Sequence, residues 1–309
     1  MPDPLAGDAS ARRYWRLHTQ GGPRVVMDAD PITGEDVTRF AHLARHLRSY
    51  GVSAPSLHAE DAKAGFLLME DFGDGLLARL VAHDPSRERT LYGAAVDLLV
   101  ALRDVPPGEV PVYDSTAMAQ AIDLVFADYL CRAAPSADFA LVAPLLKSKL
   151  DQLCPDTPVL CLRDYHAENL FWLPEREAAA CIGVIDFQDA VLAHPAYDMA
   201  SLLHDARRDV SADVISAMQM RYCTATQTDP ERFAASFAVL SLQRNLRILG
   251  VFARLARSRG KPGYLSLMPR VWAFVQAALA HPELAELADA LHGMLPAPTP
   301  EHLERLRAA

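Results

Sequence analysis

Two short segments carry the side chains best suited to chemistry. One reads Leu162-Arg163-Asp164-Tyr165-His166-Ala167-Glu168-Asn169, the other Ile185-Asp186-Phe187-Gln188-Asp189. Phosphoryl transfer from MgATP needs a carboxylate to orient the attacking hydroxyl and accept its proton. It also needs oxygen ligands for the Mg2+ that bridges the phosphates and offsets their developing charge. An Asp followed five positions later by an Asn supplies both from one loop, with Asp164 as base and Asn169 as metal ligand. Asp186, at the end of a later apolar run, supplies a second ligand. Each spacing alone arises by chance, and strand-end carboxylates usually just form turns. All three at strand edges in this order favour the chemical reading.

The elements that must position these groups fall into a simple order. Arg12 to His18 alternates in polarity, and Arg24 to Met27 follows the turn signal Gly21-Gly22-Pro23. Gly34-Glu35-Asp36 opens a helical segment with Val37, Phe40, Leu43 and Leu47 on one face, stopped by Gly51. Phe66 to Met69 reads as a strand that runs into Glu70-Asp71-Phe72-Gly73-Asp74-Gly75, a hinge. Asp84-Pro85 then makes a good start for a helix bearing Leu91, Ala95, Leu98 and Leu102. Ser115 is expected to cap a helix carrying Met118, Ile122, Val125, Phe126 and Tyr129. Short strands are expected at Val159 to Leu162, Leu170 to Leu173 and Cys181 to Ile185, with helix after Pro195. The expected fold is α+β. Residues 1–72 are expected to form a small β-rich N-lobe, and residues 73–309 a larger, mainly helical C-lobe in which the short strands carry the chemical segments.

Composition bounds the function. Half of the 309 residues are hydrophobic and 22% are charged, as in a folded chain. The net charge of −9 weighs against nucleic acid as a partner. The segment MPDPLAGDAS has neither a basic nor an apolar stretch, and no apolar run is long enough to span a bilayer. A cytoplasmic location, no membrane and no protein partner are therefore expected. Cys131, Cys154, Cys161, Cys181 and Cys223 are odd in number and form no CxxC pair, so neither a disulfide framework nor a zinc site is indicated.

The segment Asp164 to Asn169 resembles the catalytic loop of the aminoglycoside phosphotransferases, and Ile185-Asp186-Phe187 resembles their metal-binding segment. The resemblance covers nearly the whole chain. It implies a protein-kinase-like bilobal fold using ATP and Mg2+, with adenine against the backbone of Glu70, Asp71 and Phe72. Gly7, Ser10, Arg12, Arg13 and Val26 complete the implied nucleotide site. A narrower set of segments is similar to the bacterial anomeric sugar kinases. These are Gly7-Asp8-Ala9-Ser10, Arg12-Arg13-Tyr14, Arg163-Asp164-Tyr165-His166, Asp186 to Ala190, His194 to Asp198, Asp205 to Asp209, Gln243-Arg244-Asn245 and Gly260-Lys261-Pro262. That branch phosphorylates the C1 hydroxyl of N-acetylmuramate and N-acetylglucosamine in peptidoglycan recycling. It implies a small-molecule sugar substrate, with His166, Asp205, Arg207, Arg244 and Asn245 on the acceptor side.

The chain also departs from the kinase pattern. Kinases carry a lysine on the third N-lobe strand, where this chain has Val25-Val26-Met27-Asp28, and its first lysine is Lys63. Arg12, Arg13 and Arg16 are the candidates to replace it. Arg13 is preferred because alternation puts it on the face of Trp15 and Leu17. Leu162 stands where relatives have a loop-bracing histidine, and Tyr197 and Asp198 are expected to brace the loop. A cationic acceptor calls for carboxylates or aromatics around it. The acceptor-side segments here instead carry Arg207, Arg208, Arg244 and Arg247, which suit a carboxylate such as the lactyl group of N-acetylmuramate. A kinase of an aminoglycoside or amino alcohol, and an inactive ATP-binding module, stay open as alternatives.

Overall fold

The structure, a computed structural model, describes residues 2–5, 12–33, 36–132 and 136–308. The chain divides into two compact units, residues 1–108 with 164–190, and residues 109–163 with 191–309. The lobe boundary expected after residue 72 follows the end of the sheet and falls inside the first unit.

The first unit is built on a five-stranded antiparallel sheet, in the order β1 (Asp3–Leu5), β2 (Arg13–Thr19), β3 (Gly22–Asp28), β5 (Phe66–Glu70), β4 (Leu57–Asp61). The β2–β3 hairpin turns earlier than the expected signal: Thr19 pairs with Gly22 and His18 with Pro23, which leaves Gln20 and Gly21 as the turn. Helix α1 (Val37–Ser49) starts at Asp36, whose carboxylate accepts from the Thr38 N–H, as the helix start signal required. It stops at Gly51, whose φ of +81° lies in the left-handed region that favours glycine. Its apolar stripe, Val37, Phe40, Leu43 and Leu47, is buried, and α1 packs on β4 and β5. Alternation gives the sheet two unlike faces. Met27, Leu67 and Met69 are fully buried on one, whereas Trp15, Val26 and Leu68, in register across three strands, are only half-buried on the other.

After the hinge come α2 (Leu77–His83) and α3 (Glu88–Ala101), the latter preceded by a 3-10 turn that Asp84 caps. The hairpin β7 (Leu170–Trp172) with β8 (Ile182–Val184) completes this unit. The Gly75 carbonyl accepts from the Trp172 N–H at 2.7 Å. A Cβ on Gly75 would lie 2.6 Å from the Trp172 carbonyl oxygen, so the hinge reaches the hairpin only through a glycine.

The second unit is mainly helical: α4 (Ser115–Ala121), α5 (Ala137–Leu153), α6 (Ala196–Leu203), α7 (Ala212–Thr226), the long α8 (Pro230–Ser258), α9 (Met268–Leu279), α10 (Ala285–Leu291) and α11 (Pro300–Ala308). The short pair β6 (Val159–Cys161) and β9 (Val191–Ala193) is embedded in it. The helix expected after Ser115 differs from its reading. Asp114, not Ser115, is the cap, accepting from Ala117 N, and the Ser115 hydroxyl bonds Asp151 instead. The helix ends at Ala121, and Val125–Tyr129 form a π-helical turn that buries Val125, Phe126 and Tyr129 and packs on α8. Among the described residues no helix is long and apolar enough to cross a membrane.

Candidate active site

The loop that leaves β6 is fixed before it reaches Asp164. The Leu162 and Arg163 N–H groups both donate to Asp198, at 2.5 and 2.9 Å. Arg163 adopts a left-handed conformation, φ +68°, which costs a non-glycine residue about 1–3 kcal/mol and needs its surroundings to hold it. Its carbonyl accepts from Ser201 Oγ at 2.9 Å, and Ser201 Oγ in turn accepts from Arg244 Nη2 at 2.8 Å. Its guanidinium lies over the Tyr113 ring at 5.4 Å. Asp198 and Ser201 stand one turn apart on α6, both buried, so one helix face grips both sides of the Arg163 peptide. Asp198 thus braces the loop as expected, and Leu162, in the usual histidine's place, is buried.

From Asp164 onward the loop belongs to the first unit. His166 N donates to the Asp164 carbonyl and Asn169 N to the His166 carbonyl, at 3.2 and 2.8 Å, making a compact turn. Asn169 Nδ2 donates to the Asp164 carbonyl at 2.9 Å and lies 3.3 Å from His166 Nε2. The donor end of this buried amide is thereby turned inward, leaving Oδ1 for a cation. The Asp164 carboxylate is half-buried and takes no hydrogen bond or ion pair from any described residue.

Asp186 follows β8, and the Ile185 N–H donates to the Asn169 carbonyl at 3.1 Å, tying the two expected metal ligands together through the backbone. Asp186 is also left-handed, φ +58°. Its Oδ1 accepts from Gln188 Nε2 at 2.8 Å and lies 3.6 Å from Arg12 Nη1. Phe187 is fully buried and stacks on Phe40 of α1 at 4.7 Å, which anchors the segment. An amide oxygen and a carboxylate are hard donors of the kind Mg2+ uses when nucleotide phosphates complete its shell. The residues present therefore fit that ion. They do not fit an all-protein metal cage, since no group of three His, Cys, Asp or Glu able to hold a metal occurs among the described residues.

Of the expected nucleotide residues, Gly7 and Ser10 lie outside the described residues. Val26 sits mid-row between Trp15 and Leu68, a half-buried apolar strip suited to a flat base. The hinge side chains have structural work. Glu70 pairs with Arg176 and accepts from Ser56 N at 3.1 Å. Asp71 takes Arg16 Nε at 2.5 Å and Gly73 N at 2.8 Å. Phe72 packs against Phe171 at 5.7 Å, under the Arg176 guanidinium. The three N-lobe arginines separate clearly. Arg13 pairs with Asp28 across the hairpin at 2.7 Å, Arg16 pairs with Asp71 and Asp74, and Arg12 lies beside Asp186.

His166 is buried beside Asn169. The other expected acceptor residues lie in the second unit. Asp205 and Arg244 are buried there, and Arg207 is half-buried with its N–H donating to Asp205 Oδ1 at 2.8 Å. Burial pushes the Asp205 carboxyl up, against the pull of Arg207 and Arg244. Asn245 is fully buried and donates to the Ser241 carbonyl at 2.9 Å. Asp205 Oδ2, Arg244 Nη1 and Asn245 Oδ1 have no hydrogen-bond partner among the described residues. Next to them His204 stacks on Phe274, and burial with the Arg244 charge lowers its pKa to about 4.

Sequence reading passed over Trp15 and Leu68 as partners of Val26, though alternation on flanking strands gives them. It also passed over Gln188 and Ser201. Ser201 had a signal, since it lies three residues after Asp198 and so on the same helix face.

The sequence matches the profile of the phosphotransferase enzyme family (APH) over residues 3–235. It is 38% identical to the N-acetylmuramate/N-acetylglucosamine kinase of Caulobacter vibrioides, over 92% of this chain and 89% of that protein. It is 34% identical to the protein of the same name from Pseudomonas aeruginosa, over 93% and 87%. Its fold is similar to that of a choline/ethanolamine kinase family protein from Mesorhizobium loti. The TM-score is 0.65 at 14% identity, covering all of this chain and 93% of the other. The α+β fold is thus protein-kinase-like.

Proposed function

Because the chain belongs to the phosphotransferase enzyme family, and so to the kinases, we propose that it transfers the γ-phosphoryl group of ATP to the anomeric C1 hydroxyl of N-acetylmuramate and N-acetylglucosamine. It would act in the cytoplasm, on the path that recycles peptidoglycan sugars. Residues 1–72 serve as the nucleotide-binding lobe and residues 73–309 as the catalytic and acceptor-binding lobe.

One observation carries the catalytic part. Asp164 is half-buried on a turn fastened at both ends, yet its carboxylate makes no hydrogen bond or ion pair with any described residue. A carboxylate kept unpaired beside a strained, braced residue is a base awaiting its proton donor rather than a structural anchor. Its work is to orient the acceptor hydroxyl and take its proton as that oxygen bonds the γ-phosphorus and the bond to ADP breaks. The anomeric hydroxyl is the most acidic of a reducing sugar, so its proton is the one a carboxylate takes most readily. Asn169 Oδ1 and Asp186 would hold Mg2+, which supplies charge neutralisation at the phosphates when bound. The row of Trp15, Val26 and Leu68 would carry the adenine, with hydrogen bonds from the Glu70 to Phe72 backbone. His166, Asp205, Arg207, Arg244 and Asn245 serve the acceptor, the guanidiniums answering the lactyl carboxylate of N-acetylmuramate.

The test is ADP release measured across N-acetylmuramate, N-acetylglucosamine, an aminoglycoside and choline. Turnover on the two amino sugars and none on the amines is expected. Turnover on the amines alone would overturn the acceptor assignment and leave the kinase intact.

A further inference from the structure

In kinases, a lysine on the third N-lobe strand pairs with a glutamate of the helix behind it and positions the nucleotide phosphates. This chain has neither partner. Its β3 ends Val26-Met27-Asp28, with an acid in place of a base, and α1 contains no Asp or Glu along its length. The missing cation must come from elsewhere, and the three arginines near the start of the sheet are not equivalent. Arg13 pairs directly across the hairpin with Asp28, and its side chain is 66% exposed. Arg16 is fixed on the hinge by Asp71 and Asp74. Arg12 enters β2 with its side chain only 10% exposed, and its Nη1 lies 3.6 Å from Oδ1 of Asp186.

We propose that Arg12 is the phosphate-binding cation of this protein and Asp186 its positioning carboxylate, so that an Arg12–Asp186 pair replaces the lysine–glutamate pair. The inference rests on the reading of Asp186 as part of the nucleotide–metal site. A guanidinium beside that carboxylate is within reach of the phosphates the site would gather, and its forked N–H groups match phosphate oxygens bidentately. Loss of the lysine and of an acidic α1 then form one change. With no lysine to hold, a glutamate on α1 would be a half-buried charge without a purpose. Gln188, which donates to the same Asp186 oxygen at 2.8 Å, keeps the carboxylate aimed while Arg12 faces it.

Calorimetric titration of the wild type, Arg12→Ala and Arg12→Lys with ATP and with adenosine, first in EDTA and then with Mg2+, tests this. Arg12→Ala should weaken ATP about ten- to a hundredfold in both conditions, the loss of a charge-assisted hydrogen bond. Arg12→Lys should recover part of that loss, and adenosine should bind all three alike. The proposal falls if Arg12→Ala binds ATP within twofold of the wild type. It falls too if adenosine is lost in step with ATP, which makes Arg12 a strut, or if Arg13→Ala, titrated alongside, carries the loss instead. A wild type that binds neither ligand removes the kinase reading itself, and this proposal with it.

Discussion

Replacing Asp198 by Asn should cripple turnover without touching nucleotide binding. In the wild type the two carboxylate oxygens take the Leu162 and Arg163 N–H groups at 2.5 and 2.9 Å, all of them buried or half-buried. An amide has one oxygen, so whichever way it turns, its NH2 faces one backbone donor. One charge-assisted bond is lost and one N–H is left unpaired in the interior, together about 2–3 kcal/mol. At a specific unfolding entropy of about 2.1 cal/mol/K per residue, that lowers Tm by about 3–5 °C. The larger effect is on the loop. Arg163 keeps its left-handed turn because Asp198 holds its N–H and Ser201 its carbonyl, and Asp164 is the next residue. Relaxation there displaces the base, and a misplacement on the order of 1 Å costs about a hundredfold in rate. The assay is steady-state ADP release beside a thermal melt, with ATP affinity measured separately. A variant with wild-type kcat and a Tm within about 1 °C of the parent would refute the bracing role, since an arginine held left-handed at a cost of about 1–3 kcal/mol relaxes once its anchor is weakened.

Other perturbations have outcomes of their own. Asp164→Asn should lower kcat about a hundredfold to ten-thousandfold while ATP affinity stays near the parent's, and turnover within threefold would take Asp164 out of the base role. Asn169→Ala and Asp186→Ala should each weaken Mg2+-dependent nucleotide binding, as chelation should in the wild type, because each removes an oxygen ligand from a hard cation. Equal MgATP titrations for parent and variants would break that assignment. His204 supplies a pH dependence. Its folded pKa is about 4 against 6.5 in the free side chain, so the stability it gives when neutral is present above pH 6.5 and lost as pH falls from 6.5 through 4. Between pH 7 and 5 this amounts to about 2 kcal/mol in urea unfolding, and His204→Gln should flatten that slope.

The geometry of the candidate catalytic loop was legible because its information is local. Five-residue spacing within one loop put Asn169 on the Asp164 carbonyl, and helix signals at Asp36 and Gly51 set both ends of α1. What escaped depends on contacts far apart in the chain. Alternation groups Arg13 with Trp15 but cannot see that Asp28 neutralises it, nor that Arg12 meets a carboxylate 174 positions on. Left-handed φ at Arg163 leaves no mark in composition, since arginine has no preference for it, whereas Asp186 is of a type that tolerates that region. The short strands β1, β4 and β9 escaped because a few ladder bonds, rather than a hydrophobic alternation, define them. Ser115 and Asp114 are both good caps, and only the reach of Asp151 to the Ser115 hydroxyl decides between them. The arginines at 207 and 244 were chosen for their charge, and the structure shows Arg244 also at work inside, on Ser201.

The site of phosphorylation is the point on which the account stands. Phosphorus NMR of the product formed from N-acetylmuramate and ATP reads it directly, through the coupling of phosphorus to the sugar protons. A resonance coupled to H1, the signature of a sugar 1-phosphate, is the predicted result. Coupling to the C6 protons instead would contradict the anomeric assignment.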